Sequence, residues 1–474
     1  MSLPVLRVAV VGHTNTGKTS LLRTLTRDAE FGEVFDRPAT TRHVEGAALV
    51  VEGTPLVALY DTPGLEDSLG LAEHLDGMDR DRGAPWVAVI QRFLDSAAAK
   101  DRFEQEAKAL RQVFAAHVAL YVIDARDRLL AKHREELEIL ARCARPVVPV
   151  LNFVADPAAD TAAWRDYLRT INLHAVAAFD TVVVDPESER RLFEAMRVLL
   201  DGFDETMDAV IADRARLRHR LITSAARLLA DLLIDAAAHR ELVDGESPDR
   251  DSAVNTLRDQ VRAREQRCVA DLLALFHFGT EELDAADLPL ADGQWGLDLF
   301  SPDSLREFGI RAGGGAAAGA AAGLTIDALT GGLTLGAAAA LGAAAGALWG
   351  SFGSHGRRLL DQARGFSELR VDDATLRLLA VRQLTLIEAL LRRGHASQQR
   401  IAVAEGAAVP RQDWTTGALP DSLQRARAHP DWSAFESAAA GHMDSSGRRS
   451  ARDDLTETLA EALKAPLNAA LPPD

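Results

Sequence analysis

Apolar residues in the first part of the chain come in short unbroken runs, Val8 to Val11, Leu56 to Tyr60, Ala119 to Ile123 and Pro146 to Leu151, each of strand length. Stretches with helical spacing lie between them: Leu21, Leu22 and Leu25 share one helix face, and a Glu- and Leu-rich helix is predicted over Lys132 to Ala141. Continuous apolar strands alternating with helices make an α/β domain, a mostly parallel sheet flanked by helices. Between the second and third runs the chain is long. There, from Glu66 to His117, Trp86, Val89, Ile90, Phe93 and Leu94 recur at three-and-four spacing, so amphipathic helices are expected.

From about Asp201 the period becomes helical almost throughout, with segments near 203–243, 251–278, 367–393 and 453–465, and prolines such as Pro248, Pro302 and Pro420 mark the breaks. An all-α C-terminal region follows. Its exception is 312–356, where glycine, alanine and leucine dominate and Asp327 and His355 are the only ionisable side chains before two arginines. Read as a hairpin of two helices, 312–326 and 328–353, the second limb is about 39 Å long, enough to cross a bilayer, and the first, at about 22 Å, is not. Gly332, Gly336, Gly342, Gly346, Gly350 and Gly353 share one face. Each glycine costs roughly 1 kcal/mol of helix propensity, so only close helix contact, in protein or in lipid, would hold such a limb together. The expected organisation is a nucleotide domain at 1–200, a helical domain at 201–311, the Gly/Ala-rich hairpin at 312–356 and a helical region at 357–474.

The first apolar run opens into Gly12-His13-Thr14-Asn15-Thr16-Gly17-Lys18-Thr19, followed by Ser20 at the start of the helix. Glycines at this spacing let the backbone wrap an anion, with amides and a helix N-terminus pointing at phosphates. Lys18 would reach the β- and γ-phosphates, and Thr19 would offer its hydroxyl to Mg²⁺. The second run ends in Asp61-Thr62-Pro63-Gly64. There Asp61 would hold Mg²⁺ through water and the Gly64 amide would meet the γ-phosphate.

Between these boxes lies Ala39-Thr40-Thr41-Arg42, and the sequence over roughly residues 5–200 resembles the Era-like branch of the translation-factor class of P-loop GTPases. The order of boxes is similar to that of a bacterial family joining such a domain to a C-terminal helical domain of unknown function. The resemblance implies binding and hydrolysis of GTP with Mg²⁺, with Thr41 as the switch threonine on the metal and Thr40 as the alternative register. Era-like relatives often dimerise through their switches, so a homodimer is one implied assembly.

Departures from the family pattern sharpen the expectations. Where relatives carry N-K-x-D to read guanine, this chain has Asn152-Phe153-Val154-Ala155-Asp156, with Phe153 for the lysine and the acid one place late. Asp156 either reads the base or only begins a turn, and GTP over ATP is left open by this box. Phe179-Asp180-Thr181, ahead of an expected strand Val182 to Val184, is a weak candidate for the fifth box. After Gly64 comes Leu65, which cannot orient water as glutamine does in other GTPases. Era-like relatives commonly have a hydrophobic residue there, and several of them use K⁺ held partly by a loop asparagine. Asn15 matches that position, the alternative being that it merely accepts the turn geometry. His13 reads as structural, packing near the switch.

Composition narrows the partners. A formal charge of −17 over 474 residues opposes bulk attraction to nucleic acid, which sets ribosome assembly behind other roles. The basic cluster Arg214, Arg216, Arg218, His219 and Arg220 reads as a solvated helix turn paired with acids. The two cysteines, Cys143 and Cys268, lack metal-ligand spacing, and the N-terminus shows no leader pattern, so a cytoplasmic GTPase domain is expected, with the inner membrane face as a site of association through 312–356. Two functional classes follow: a GTP-hydrolysing switch acting on a membrane or protein partner, and a nucleotide-stabilised scaffold with little hydrolysis.

Overall fold

The computed structural model of the protein describes residues 3–27, 46–79, 84–244, 250–276, 278, 290–291, 294–295, 297–310, 324–327, 366–393, 412–415, 418–435 and 445–464. The switch candidates Thr40 and Thr41, and all of the expected Gly/Ala hairpin except 324–327, lie outside the described residues.

The four apolar runs are strands. β1 (Leu6–Val11), β2 (Gly46–Val51), β3 (Thr54–Asp61), β4 (Val118–Asp124), β5 (Val147–Asn152) and β6 (Ala177–Ala178) form one sheet in the order β2-β3-β1-β4-β5-β6. All neighbours are parallel except β2 against β3. Side chains alternate across β1, so Val8 and Val10 point to one face and Ala9 and Val11 to the other. The first face is covered by α1 (Lys18–Thr26), α7 (Pro186–Leu199) and the first turns of α8 (Asp204–Ala238) through Leu21, Leu25, Phe193, Met196, Met207 and Val210. The second is covered by α2 (Ser68–Met78), α3 (Trp86–Leu94), α4 (Glu104–Ala115), α5 (Ala131–Arg142) and α6 (Thr161–Thr170). The long segment after β3 is therefore helical, as its spacing predicts, and Leu75, Phe93 and Leu110 bury it on the sheet. The expected strand Val182 to Val184 is not formed; Val183 makes a single bridge to Arg393. Asp180 accounts for this by drawing the Val182 and Val183 amides onto its own carboxylate.

The described residues divide into two compact units, one running to Arg218 and including Leu391 to Arg393, the other taking in His219 to Leu390 and the described residues beyond 411. The first passes residue 200 because Met207 and Val210 complete its core. In it, Arg214 pairs with Glu189 and Arg216 with Asp213 and Glu52, so these members of the basic cluster are neutralised locally, as expected.

The second unit is helical, with α8 from His219 onward, α9 (Arg250–Leu275), the short α10 (Pro302–Glu307), α11 (Asp373–Arg392) up to Leu390, α12 (Gln412–Thr415), α13 (Asp421–Ala428) and α14 (Ser446–Lys464). It is not all-α. β7 (Arg240–Asp244), β10 (Leu324–Asp327) and β11 (Phe366–Val371) form an antiparallel sheet in the order β10-β11-β7, and β8 (Leu290–Ala291) pairs with β9 (Gln294–Trp295). Three stretches assigned to helix by period thus end or begin in strands: 203–243 after Ala238, 367–393 before Asp373, and the first hairpin limb at Leu324. Cross-strand pairing, which periodicity does not carry, decides these short runs. No helix among the described residues is long and apolar enough to cross a membrane. Cys143 and Cys268 are buried free thiols, each pushed up to about 12 by burial.

Candidate functional site

The loop from Gly12 to Gly17 joins β1 to α1 at the strand's C-terminal end, where open α/β sheets gather their ligands. At Gly17, φ is 92°, and a Cβ there would lie 2.3 Å from the Asn152 Nδ2, so only glycine fits. Asn15 is exposed in the left-handed region with φ 65°, a conformation asparagine tolerates better than most residues. Thr16 is buried and its hydroxyl donates to the His13 carbonyl at 3.0 Å, closing the loop on itself. Lys18 is 8% exposed and donates to the carbonyls of Gly12 (3.2 Å) and His13 (2.7 Å). Burial pushes its ammonium below the ordinary value, with Asp61, Glu136 and Glu66 pulling the other way. Ser20 follows on α1, half-buried.

Thr19 and Asp61 meet directly: the threonine hydroxyl donates to Asp61 Oδ2 at 2.6 Å. The other carboxylate oxygen, Oδ1, is buried without a hydrogen-bond partner, and burial raises the carboxyl above its usual range despite the Thr19 bond and Lys18. A buried carboxylate with an open lone pair beside a hydroxyl fits a hard cation such as Mg²⁺. Thr41, the third expected metal residue, lies outside the described residues.

The Asp61-Thr62-Pro63-Gly64 turn packs on the loop. Thr62 donates its hydroxyl to the Val10 carbonyl at 2.8 Å. A Cβ on Gly64 would sit 2.4 Å from Thr14 Oγ1 and 2.9 Å from the Thr14 amide nitrogen, so a side chain there would collide with the loop. Thr14 also donates to Glu66 at 3.2 Å. Leu65 is fully buried, and its amide donates to the Gly12 carbonyl at 3.3 Å. His13 Nδ1 lies 3.0 Å from the Leu65 carbonyl and 2.8 Å from Glu136 Oε1. A carbonyl oxygen only accepts, so Nδ1 carries the proton. Tyr121 completes this buried group by donating to Glu136 Oε2 at 2.6 Å. His13 thus links the loop to the turn, consistent with a structural role.

Asn152, at the end of β5, is fully buried and makes three hydrogen bonds: Nδ2 donates to the Thr16 carbonyl at 3.0 Å, and Oδ1 accepts from the Phe153 (2.9 Å) and Thr181 (3.0 Å) amides. One side chain therefore ties the phosphate loop to both later loops. Phe153 adopts φ 56° and its ring carries the Arg126 guanidinium 4.0 Å from its centroid. Arg126 is forked onto Asp124, and Asp156 Oδ2 lies 3.8 Å from it. Asp156 Oδ1 accepts from the Ala158 amide at 2.9 Å, a turn-starting bond, while its residue stays partly exposed. Asp180 accepts from the Ala155 amide at 2.9 Å, so the stretch Phe179-Asp180-Thr181 does meet the asparagine box.

Sequence reasoning missed Glu136 and Glu106. Glu106 is 4% exposed and one oxygen accepts the amides of Glu66 (3.2 Å) and Asp67 (2.9 Å), directly after Leu65. Both acids sit on the apolar stripes of their helices, with Leu137 and Leu140 in α5 and Ala107, Leu110 and Val113 in α4. A charge on such a stripe is the signal that could have found them. Among the described residues, no group of three or more His, Cys, Asp or Glu side chains could hold a metal by themselves.

This geometry agrees with the comparisons to known proteins. The family described as 50S ribosome-binding GTPase matches residues 7–153, and the domain of unknown function DUF3482 matches residues 165–457. A tRNA modification GTPase MnmE from Synechococcus elongatus is 33% identical over 138 residues, covering 28% of this chain and 28% of the relative. GTPase Der from Buchnera aphidicola is 24% identical over 182 residues, covering 38% of this chain and 34% of the relative. The chain thus spans about a third or less of the length of these relatives. Among solved structures, Aquifex aeolicus Era bound to GDP and AlF4⁻ is 16% identical with a TM-score of 0.28, covering 48% of this chain and 68% of that one. The match over more than half of its length makes this chain a member of the DUF3482 family, with a P-loop GTPase domain at its N-terminus.

Proposed function

We propose that the chain binds GTP and hydrolyses it to GDP and phosphate, and that the nucleotide state acts on the helical C-terminal region. The observation that supports this most directly is the Thr19–Asp61 pair at 2.6 Å beside buried Lys18. In the reaction, loop amides and Lys18 would neutralise the β- and γ-phosphates, and the Gly64 amide would sense the γ-phosphate. Thr19, Asp61 and Thr41 are the residues that would hold Mg²⁺, which supplies positive charge to the phosphates when bound. Asn152 would hold the base loops, with Phe153 and Asp156 beside them. Asn15 is the candidate for a K⁺ contact that adds charge where no glutamine orients water. Era-like behaviour also suggests pairing of two copies through the switches, and segment 312–356 is the proposed contact to a membrane or membrane protein.

A second reading, a nucleotide-stabilised scaffold with slow turnover, draws support from one observation: Leu65 is fully buried and offers nothing to an attacking water. A ribosomal role, suggested by the name of the matched GTPase family, ranks behind both because the net charge is −17.

The test is affinity for GTP, GDP and ATP, then phosphate release in K⁺ and in Na⁺, with the full chain. Nanomolar to micromolar GTP binding that Lys18→Ala abolishes is expected, with faster release in K⁺. Unchanged affinity in Lys18→Ala overturns the nucleotide reading, equal rates in K⁺ and Na⁺ remove the potassium role, and turnover no faster than spontaneous hydrolysis selects the scaffold.

A further inference from the structure

The backbone that follows the Asp61-Thr62-Pro63-Gly64 turn, Leu65 to Asp67, is held by two different elements. From the phosphate loop, the Gly12 carbonyl accepts the Leu65 amide (3.3 Å) and His13 donates to the Leu65 carbonyl (3.0 Å). From α4, Glu106 accepts the next two amides, Glu66 at 3.2 Å and Asp67 at 2.9 Å. Asp67 in turn caps α2 by accepting from the Gly70 amide at 2.9 Å. A nearly buried carboxylate whose oxygen collects two consecutive amides fixes the path of the backbone there more firmly than a neutral acceptor would.

We propose that Glu106 and His13 are positioning residues of the second switch. His13 keeps Leu65 on the phosphate loop, and Glu106 passes any displacement of Gly64 and Leu65 to α4 and the inserted helices. The inference rests on the GTPase reading, since it requires a γ-phosphate to move Gly64. The physical basis is short and continuous. Gly64 abuts Thr14 with no room for a side chain, so turn and loop are in direct contact and a shift of one presses on the other. Leu65 follows, and the first groups met beyond it are the His13 ring and the Glu106 carboxylate. On the far side, α4 packs with α3 through Phe93, Phe103 and Leu110, and α3 carries Trp86. Trp86 lies under the Arg142 guanidinium at 3.8 Å, a partner that changes an indole's emission when it shifts.

The experiment compares tryptophan fluorescence of the full chain with GDP and with a non-hydrolysable GTP analogue, using Trp86→Phe to identify the Trp86 contribution. The wild type should show a GTP-specific change that Trp86→Phe removes. Glu106→Ala should lose that change and lower kcat about tenfold with KM within about threefold, the pattern of a lost positioning interaction. Glu106→Gln, which keeps an acceptor oxygen, should restore most of both. His13→Asn, which keeps a donor, should exceed His13→Ala in kcat. If Glu106→Ala fails to fold, Glu106→Asp, with the same charge and shorter reach, takes its place. Wild-type kcat and an intact GTP-specific change in the folded variant overturn the proposal, as does a wild type without a Trp86 response. Failure of the GTPase reading looks different: no binding of either nucleotide by the wild type.

Discussion

Asn152 donates to the carbonyl of Thr16 at 3.0 Å, joining the end of β5 to the phosphate loop across 136 residues of sequence. Its carboxamide also receives the Phe153 and Thr181 amides, so all three bonds lie in a fully buried position. Asn152→Ala leaves two buried amides and a carbonyl without this partner. It should cost about 2–3 kcal/mol of stability and weaken nucleotide binding, since the loop loses its brace. Urea unfolding monitored by circular dichroism, with GDP titration of the folded fraction, measures both.

Gly64→Ala tests the contact between turn and loop. Its Cβ would meet Thr14 Oγ1 at 2.4 Å and backbone atoms of the same residue near 3 Å, which rotation of the threonine alone does not relieve. GDP affinity should change little, while GTP affinity and turnover fall by about tenfold or more as the turn is pushed from the γ-phosphate position. Isothermal titration with both nucleotides and a phosphate-release assay give the two numbers.

Asp61→Asn tests the proposed metal role of the Thr19–Asp61 pair. The amide keeps the volume and an acceptor for the Thr19 hydroxyl but removes the charge that burial already strains. Hydrolysis should fall about a hundredfold or more, and the Mg²⁺ concentration giving half-maximal rate should rise. A magnesium titration of the rate is the measurement.

The second unit supplies a pH-dependent stability. Glu265 is almost wholly buried on α9, and burial pushes its carboxyl up to about 7 although Arg382, 3.6 Å away, and Gln383 draw it down. The folded chain therefore holds this proton more tightly than the unfolded one between about pH 4.5 and about pH 7, so Glu265 makes stability fall as pH rises through that window. Glu265→Gln should lose this share of the pH dependence, and the difference in Tm between variant and wild type, measured across the window by calorimetry, should change in favour of the variant towards neutrality.

The glycine-rich loop and the Thr19–Asp61 contact were legible because backbone chemistry demands their residues: the turn needs glycine at Gly17, and Thr19 and Asp61 sit near the ends of their elements. The parallel sheet was legible from its unbroken apolar runs. What the sequence concealed depends on contacts between distant residues. Thr181 reaches Asn152 from a segment whose expected strand does not form, and Glu106 and Glu136 show only as charges on apolar stripes. In the C-terminal half, Phe366–Val371 merges into the apolar period of the helix that follows, and only its pairing with Arg240–Asp244 and Leu324–Asp327 makes it a strand.

That central strand has a topological consequence. Asp327, where β10 ends, is the register partner of Glu368 in β11, so the end of β10 and the start of β11 adjoin. In the sequence, residues 328–365 connect these two strands. Such a stretch can be lengthened, exchanged or excised as a cassette without re-routing the helices on either side, provided the antiparallel pair at its threshold is kept.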